Sequence, residues 1–167
     1  MSLLTVFAGL PATGKTTLAR GLARRLAATH LRIDTIEQSL KAAGLAVDGN
    51  GYAIANALAA DNLALGRTVI ADCVNPVLAS RNGWRETASR CAAPLFEVEI
   101  ICTDLAEHHR RVESRVTDIE GLVLPSWDKV MSRTYEPWDR EHFVLDTAGA
   151  SVDRLVDQLE AHAAGMN

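Results

Sequence analysis

Residues Gly9 to Thr17 read GLPATGKTT, and they follow the apolar run SLLTVFA at positions 2–8. The first eight of the nine, Gly9 to Thr16, fit the pattern G-x-x-x-x-G-K-[ST]. The preceding run is aliphatic and β-branched, as a buried strand requires. From Lys15 onward Leu18, Leu22 and Leu26 recur every fourth position, while Arg20, Arg24 and Arg25 point elsewhere, as on an amphipathic helix. Strand, glycine loop and helix form the arrangement in which backbone N–H groups and a helix N-terminus cradle phosphates. In it Lys15 reaches the β and γ phosphates of a nucleotide, and the Thr16 hydroxyl serves magnesium. Gly9, Leu10, Pro11, Ala12, Thr13, Gly14, Lys15, Thr16 and Thr17 are therefore the expected nucleotide-binding residues, with ATP or GTP and Mg2+ as the expected ligands.

The rest of the chain repeats the alternation. LRID (31–34) reads as a second strand, with a helix from Thr35 to about Ala43, and the Ala-rich stretch 51–66 is a helix closed by Gly66. RTVIADCV is a third strand, Ser80 to Cys91 a helix and LFEVEIICT a fourth strand. Asp104 caps a further helix with Glu107 in the capping-box position, and HFVLDT is a fifth strand before a helix opened by Ser151. Such alternation predicts an α/β fold: a doubly wound, parallel, five-stranded sheet with helices on both faces. Ligands of such sheets bind beyond the carboxyl ends of the strands, where Gly9, Asp34 and Asp72 are expected. Val116 to Pro137 has weak periodicity and holds Gly121, Pro125 and Pro137; it reads as a mobile helical lid over about 116–137.

At 167 residues the chain predicts a single domain with a substantial core. Apolar residues make up 48% and charged residues 23%, the composition of a globular protein, and the net charge of −4 disfavours nucleic acid or an anionic membrane as partner. A small molecule is the expected partner. Cys73, Cys91 and Cys102 have neither CxxC spacing nor a His-rich motif, so they read as reduced core residues. The N-terminal run is too short to span a bilayer and leads into the glycine loop rather than a cleavage site, which predicts a cytoplasmic location.

A GTPase reading fails, because N-K-x-D is absent and the D-x-x-G at Asp118 to Gly121 falls in the lid. A mechanical ATPase would need a helical domain for which the chain has little room. In GLPATGKTT, in RID, in IADCVNP followed by Arg81, in HHRRVESR and in LPSWDKVMSRTYEPWD, nearly the whole chain resembles the small P-loop kinases. These are the group related to adenylate, gluconate and shikimate kinases, zeta toxins and the polynucleotide kinase domain, with bacterial members labelled AAA-family ATPase or kinase.

In that resemblance an aspartate at the end of the second strand accepts the proton of the attacking hydroxyl, which implies Asp34 as catalytic base and acceptor-binding residue. Its other reading is a helix N-cap boxed with Glu37. Asp72 closes the apolar run VIAD, the Walker-B pattern that holds magnesium; acceptor binding and a turn role are the alternatives. Asn75 before Pro76 reads as an Asx-turn residue. Arg81 meets a substrate anion, as the resemblance implies, or is solvated.

Arg111 and Arg115 lie four apart on a predicted helix, where like charges repel unless an anion sits between them. The resembling kinases use such arginines to stabilise charge on the transferred phosphoryl group, which makes both catalytic candidates beside Lys15. The opposing reading pairs Glu107 with Arg111 and leaves Arg115 solvated. Arg110 and Arg133 are lesser candidates. His108 and His109 read as solvated, Trp127 and Trp138 as packing anchors of the lid, Trp84 as core, and DTAGAS as the loop near the adenine.

The expectation is an ATP- and Mg2+-dependent phosphotransferase acting on a hydroxyl of a small molecule. The alternatives are a polynucleotide or tRNA-linked hydroxyl kinase, and a nucleotide-binding toxin component or regulator without turnover in isolation.

Overall fold

The computed structural model describes residues 2–166. Five strands run β1 Leu4–Ala8, β2 Thr29–Arg32, β3 Val69–Asp72, β4 Leu95–Ile101 and β5 Phe143–Asp146. Seven helices connect and follow them: α1 Lys15–Leu26, α2 Ile33–Ala42, α3 Asn50–Ala64, α4 Leu78–Arg90, α5 Leu105–Ser114, α6 Trp127–Met131 and α7 Val152–Ala164. Every strand pairing is parallel, in the order β2-β3-β1-β4-β5. From β1 the chain crosses to β2 at the sheet edge, comes back to β3 between β2 and β1, then passes β1 to β4 and β5, so the sheet is doubly wound and β1 sits at its centre.

Burial follows from that placement. β1 lies between β3 and β4, and all five of its residues are buried. One face of the sheet packs Phe7, Ile70, Phe96 and Ile100 against Leu18 and Leu22 of α1 and Leu155 and Leu159 of α7. The other packs Val6, Val69 and Ala71 against Ala55, Ala59 and Leu63 of α3 and Trp84 of α4. At about 25 cal/mol per Å² of apolar surface removed from water, these two layers are the main favourable contribution to folding. β4 alternates: Phe96, Val98 and Ile100 are buried, whereas Glu97 and Glu99 turn outward. Those two carboxylates are met by the chain leading into β5. Arg140 donates to both oxygens of Glu97 at 2.8 Å, and Tyr135 Oη donates to Glu99 at 2.8 Å.

Two sequence expectations need correction here. The second strand ends at Arg32, and α2 begins at Ile33 rather than Thr35. Asp34 therefore lies inside the first turn of α2; the cap position is Arg32, and no side chain caps that helix, so the boxed N-cap reading of Asp34 and Glu37 fails. The lid segment contains one five-residue helix, α6, and is otherwise irregular. The Asp104 cap forms as read, with its carboxylate accepting the Glu107 backbone N–H at 2.9 Å. No helix among the described residues is long and apolar enough to cross a membrane.

Candidate nucleotide and acceptor cleft

The loop after β1 is shaped by two glycines. Gly9 has φ +133°, and a Cβ there would lie 2.2 Å from the Ile100 carbonyl oxygen, so no side chain fits where the loop leaves the sheet. Gly14, the residue before α1, has φ +104°. Between them Ala12 also takes a positive φ of 63°, a conformation that an L residue adopts only where its surroundings impose it.

Those surroundings come from four directions. Gly9 N–H donates to the Val74 carbonyl at 3.1 Å. Thr13 Oγ1 donates to the Leu10 carbonyl at 3.0 Å, and Lys15 Nζ donates to the same oxygen at 2.7 Å. Thr147, directly after β5, donates its hydroxyl to the Thr13 carbonyl at 2.8 Å. His108 of α5 lies with Nε2 2.8 Å from the Pro11 carbonyl; a carbonyl only accepts, so this nitrogen carries the proton. The loop is thus held in shape before any phosphate arrives.

The loop opens on a cleft of about 770 Å³. Pro11, Ala12, Gly14, Lys15, Thr16 and Thr17 line it, while Gly9, Leu10 and Thr13 act from behind through the bonds just described. Facing the loop are Arg32, Asp34 and Glu37 from the β2–α2 junction, Asp72 and Cys73 from the end of β3, and Arg111, Arg115 and residues 116–118 and 122–125 from α5 and the lid segment. The size suits a ligand with a charged end, because the walls alternate cations and carboxylates.

Lys15 is 8% exposed, and burial pulls its ammonium down to about 8, against the opposing charges of Asp72 and Asp34. A desolvated ammonium whose hydrogen-bond acceptor among the described residues is one neutral carbonyl is poised to take an anion. Asp72 is 3% exposed. Burial pushes its carboxyl up, but His30, Lys15 and Thr16 together outweigh burial and hold it below the ordinary carboxylate range. His30 Nε2 approaches Asp72 Oδ2 at 3.4 Å and Arg32 Nε at 4.0 Å, yet none of these three buried atoms makes a hydrogen bond. An ionised, buried carboxylate oxygen with no donor, beside a threonine hydroxyl, fits a hard cation. Magnesium keeps waters and phosphate oxygens as most of its ligands and asks the protein for little more. No cluster of three or more His, Cys, Asp or Glu suited to a metal exists among the described residues.

Asp34 is exposed on the cleft wall, near enough for its charge to act on both Lys15 and Arg115. Arg115 leaves α5 with φ −70° and ψ 145° as its C-cap residue, so it does not continue the helical face of Arg111. Burial, with Arg32 acting in the same direction, lowers the pKa of its half-buried guanidinium, and its Nε has no acceptor. Arg115 therefore has no ion-pair partner among the described residues and is only half-buried. Arg111 is committed: it bonds the Thr147 hydroxyl at 2.8 Å and carbonyl at 3.1 Å, and also Glu107. Arg133 lines the cleft and the exposed Arg110 does not.

Arg81 is the clearest departure from expectation. It is 0% exposed and absent from the cleft. Its guanidinium donates to the carbonyls of Asn75 at 3.1 Å, Pro137 at 3.0 Å and Glu136 at 2.8 Å, and stacks 4.2 Å from the Trp138 ring. The arginine that was a candidate for substrate instead fastens the distal end of the lid segment to α4. Trp138 belongs to that anchor, stacked on His142 at 4.0 Å. Trp127 packs beside His108 and His109 at 5.2 and 4.7 Å, which joins α6 to α5. His108 is 3% exposed, so its solvated reading is wrong. Asn75 is buried at φ +49° and accepts from Ser80 Oγ at 2.8 Å, a turn role. Trp84 is fully buried, and all three cysteines are free thiols, Cys91 half-buried.

The sequence over residues 4–137 matches the family described as AAA domain, more than half of the chain. No curated protein sequence matches it. Among solved structures, a candidate kinase from Chloroflexus aurantiacus j-10-fl is similar at 19% identity with a TM-score of 0.77, covering 99% of this chain and 98% of that one. Chaetomium thermophilum Kti12 in complex with ADP-AlF3 is similar at 24% identity and a TM-score of 0.70, over 97% and 100% of the two chains. The Mycobacterium tuberculosis APS kinase CysC in complex with AMPPNP and APS is similar at 18% identity and 0.67, over 95% of each. The fold is that of the small P-loop kinases, as the resemblance implied.

Proposed function

We propose, on the premise that the chain belongs to the AAA domain family, that it transfers the γ-phosphate of ATP to a hydroxyl of a small molecule. The observation that carries this reading is the meeting, in one cleft, of the glycine loop with Asp34, Asp72 and Arg115. A nucleotide switch needs the loop; it has no use for an exposed carboxylate opposite it.

In this reading the loop N–H groups and Lys15 bind the terminal phosphates, and Thr16 and Asp72 hold magnesium, which when bound neutralises phosphate charge. Asp34 accepts the proton of the acceptor hydroxyl as that oxygen bonds to the γ-phosphorus. The bond from phosphorus to the bridging oxygen breaks, and ADP leaves with the electron pair. Lys15 and Arg115 stabilise charge on the transferring group, where fixed cations in a water-poor site are worth most. Arg111 supports the loop through Thr147 rather than touching the reacting atoms. Residues 116–137 close over the ligands as a lid, hinged at the anchor that Arg81 makes. A cytoplasmic, single-domain enzyme is the form in which we expect it to act.

The test is incubation with magnesium and ATP and pools of hydroxylated metabolites, read by mass spectrometry. The reading expects a phosphomonoester and ADP in equal amounts. ATP hydrolysis alone, across broad pools, would contradict it.

A further inference from the structure

Two arginines in the cleft already hold an anion, and that anion belongs to the protein. Arg32, at the end of β2, donates from Nη1 to Asp118 Oδ1 at 2.7 Å. Arg20 of α1 donates from Nη2 to the other oxygen, Oδ2. Each guanidinium gives one charge-assisted bond to a different oxygen of the same carboxylate, so the two together clamp it. All three residues line the same cleft as Lys15 and Asp34.

The parts differ in how firmly they are held. The Arg32 side chain is 13% exposed, while Asp118 is 51% and Arg20 42% exposed. Exposed pairs contribute little to stability and exchange readily with solvent. Asp118 sits in the irregular stretch between α5 and α6, outside any helix or strand, and its departure leaves two guanidiniums uncompensated beside a third, Arg115, whose proton Arg32 already disfavours. Arg32 also retains a buried Nε with no acceptor, 4.0 Å from Asp72. An incoming anion relieves this repulsion; a neutral molecule does not.

We infer that Arg20 and Arg32 form an anion subsite that Asp118 fills in the absence of acceptor, and that the acceptor carries a carboxylate or phosphate which displaces it. The second half rests on the kinase reading above; the first does not. The chemistry excludes neutral polyols as preferred acceptors and places the anionic group one guanidinium away from Asp72.

The test uses the full chain saturated with magnesium and a non-hydrolysable ATP analogue, so that the glycine loop cannot take the probe. Inorganic phosphate and, separately, acetate are titrated by calorimetry into wild type, Asp118→Asn and the double variant Asp118→Asn with Arg20→Gln. Removing the resident carboxylate should tighten at least one probe by about tenfold or more, and Arg20→Gln should abolish the gain. The probe with the larger gain names the anionic group. Equal affinity in wild type and Asp118→Asn, or a gain that survives Arg20→Gln, overturns the subsite. Melting curves of the exposed Asp118→Asn variant guard against misfolding. Failure to find any phosphorylated product would sink the kinase reading and leave this titration to judge the subsite. Phosphorylation of a neutral acceptor with KM unchanged by Arg20→Gln would overturn the anionic acceptor and leave the kinase reading intact.

Discussion

Arg81→Leu separates an anchor from a substrate ligand. Leucine keeps much of the buried stem's volume and removes every donor, so the cavity contribution is small and the cost falls on the carbonyls. Three of them, Asn75, Glu136 and Pro137, lose a charge-assisted bond of 3.1 Å or less. An acceptor stranded out of water costs about 1–3 kcal/mol, and the contact with Trp138 adds to this, while the variant is relieved of keeping a guanidinium dry. The net expectation is a loss of about 3–5 kcal/mol, which for a chain of this size lowers Tm by roughly 6–20 °C. Urea unfolding should show a lower midpoint with unchanged slope, since the surface exposed on unfolding is the same. A loss below about 1 kcal/mol would refute the anchor. Unchanged stability with a weakened acceptor KM would restore Arg81 to the substrate.

Further outcomes follow from the loop and the lid. Lys15 titrates near 8 in the folded chain against 10.5 ordinarily, so between those values the unfolded chain binds more protons and ligand-free stability should rise with pH; Lys15→Met should flatten that rise in urea midpoints, and an identical slope would contradict the burial argument. Nucleotide binding at about pH 8.5 should take up protons, measurable by calorimetry in buffers of different ionisation enthalpy. His108→Ala strands the Pro11 carbonyl and should cost about 1–3 kcal/mol with weaker nucleotide binding, partly recovered by His108→Gln; unchanged melting with and without nucleotide would remove His108 from the loop's support. Hydrogen exchange across residues 116–137 should slow with magnesium and an ATP analogue, and equal exchange would make the segment static.

What was legible in the sequence was local. β1, the loop and α1 are specified by neighbours a few positions apart: an apolar run, two glycines at positive φ and a four-residue repeat. Alternation then implies a parallel, doubly wound sheet but leaves the strand order open, and the order β2-β3-β1-β4-β5 is set by packing between distant segments. What escaped was set by distance along the chain. Arg81 reads as a substrate ligand or a solvated arginine because its acceptors, Glu136 and Pro137, lie more than fifty residues on. His108 reads as solvated until Pro11, 97 residues away, is brought beneath it. His30 gains its meaning only when β2 pairs with β3 and turns it toward Asp72. The boundary at LRID was misplaced for a smaller reason. Ile33 serves equally as the last residue of a strand or the first of a helix, and the chain leaves the strand conformation at Arg32 without a capping side chain to signal it.

Asp34 is the proposed general base, and Asp34→Asn removes that role alone. The residue is exposed, lies in the first turn of α2 and caps nothing, so the substitution should leave Tm nearly unchanged beyond the few tenths of a kcal/mol that an acid contributes near a helix N-terminus. Magnesium–ATP affinity should stay within a few-fold because the loop is untouched. Turnover of an acceptor phosphorylated by wild type should fall by roughly 10²- to 10⁴-fold, the contribution of a general base. Lost turnover with intact folding and nucleotide binding is expected of a catalytic base; near-normal turnover in the same preparation would remove Asp34 from the chemistry.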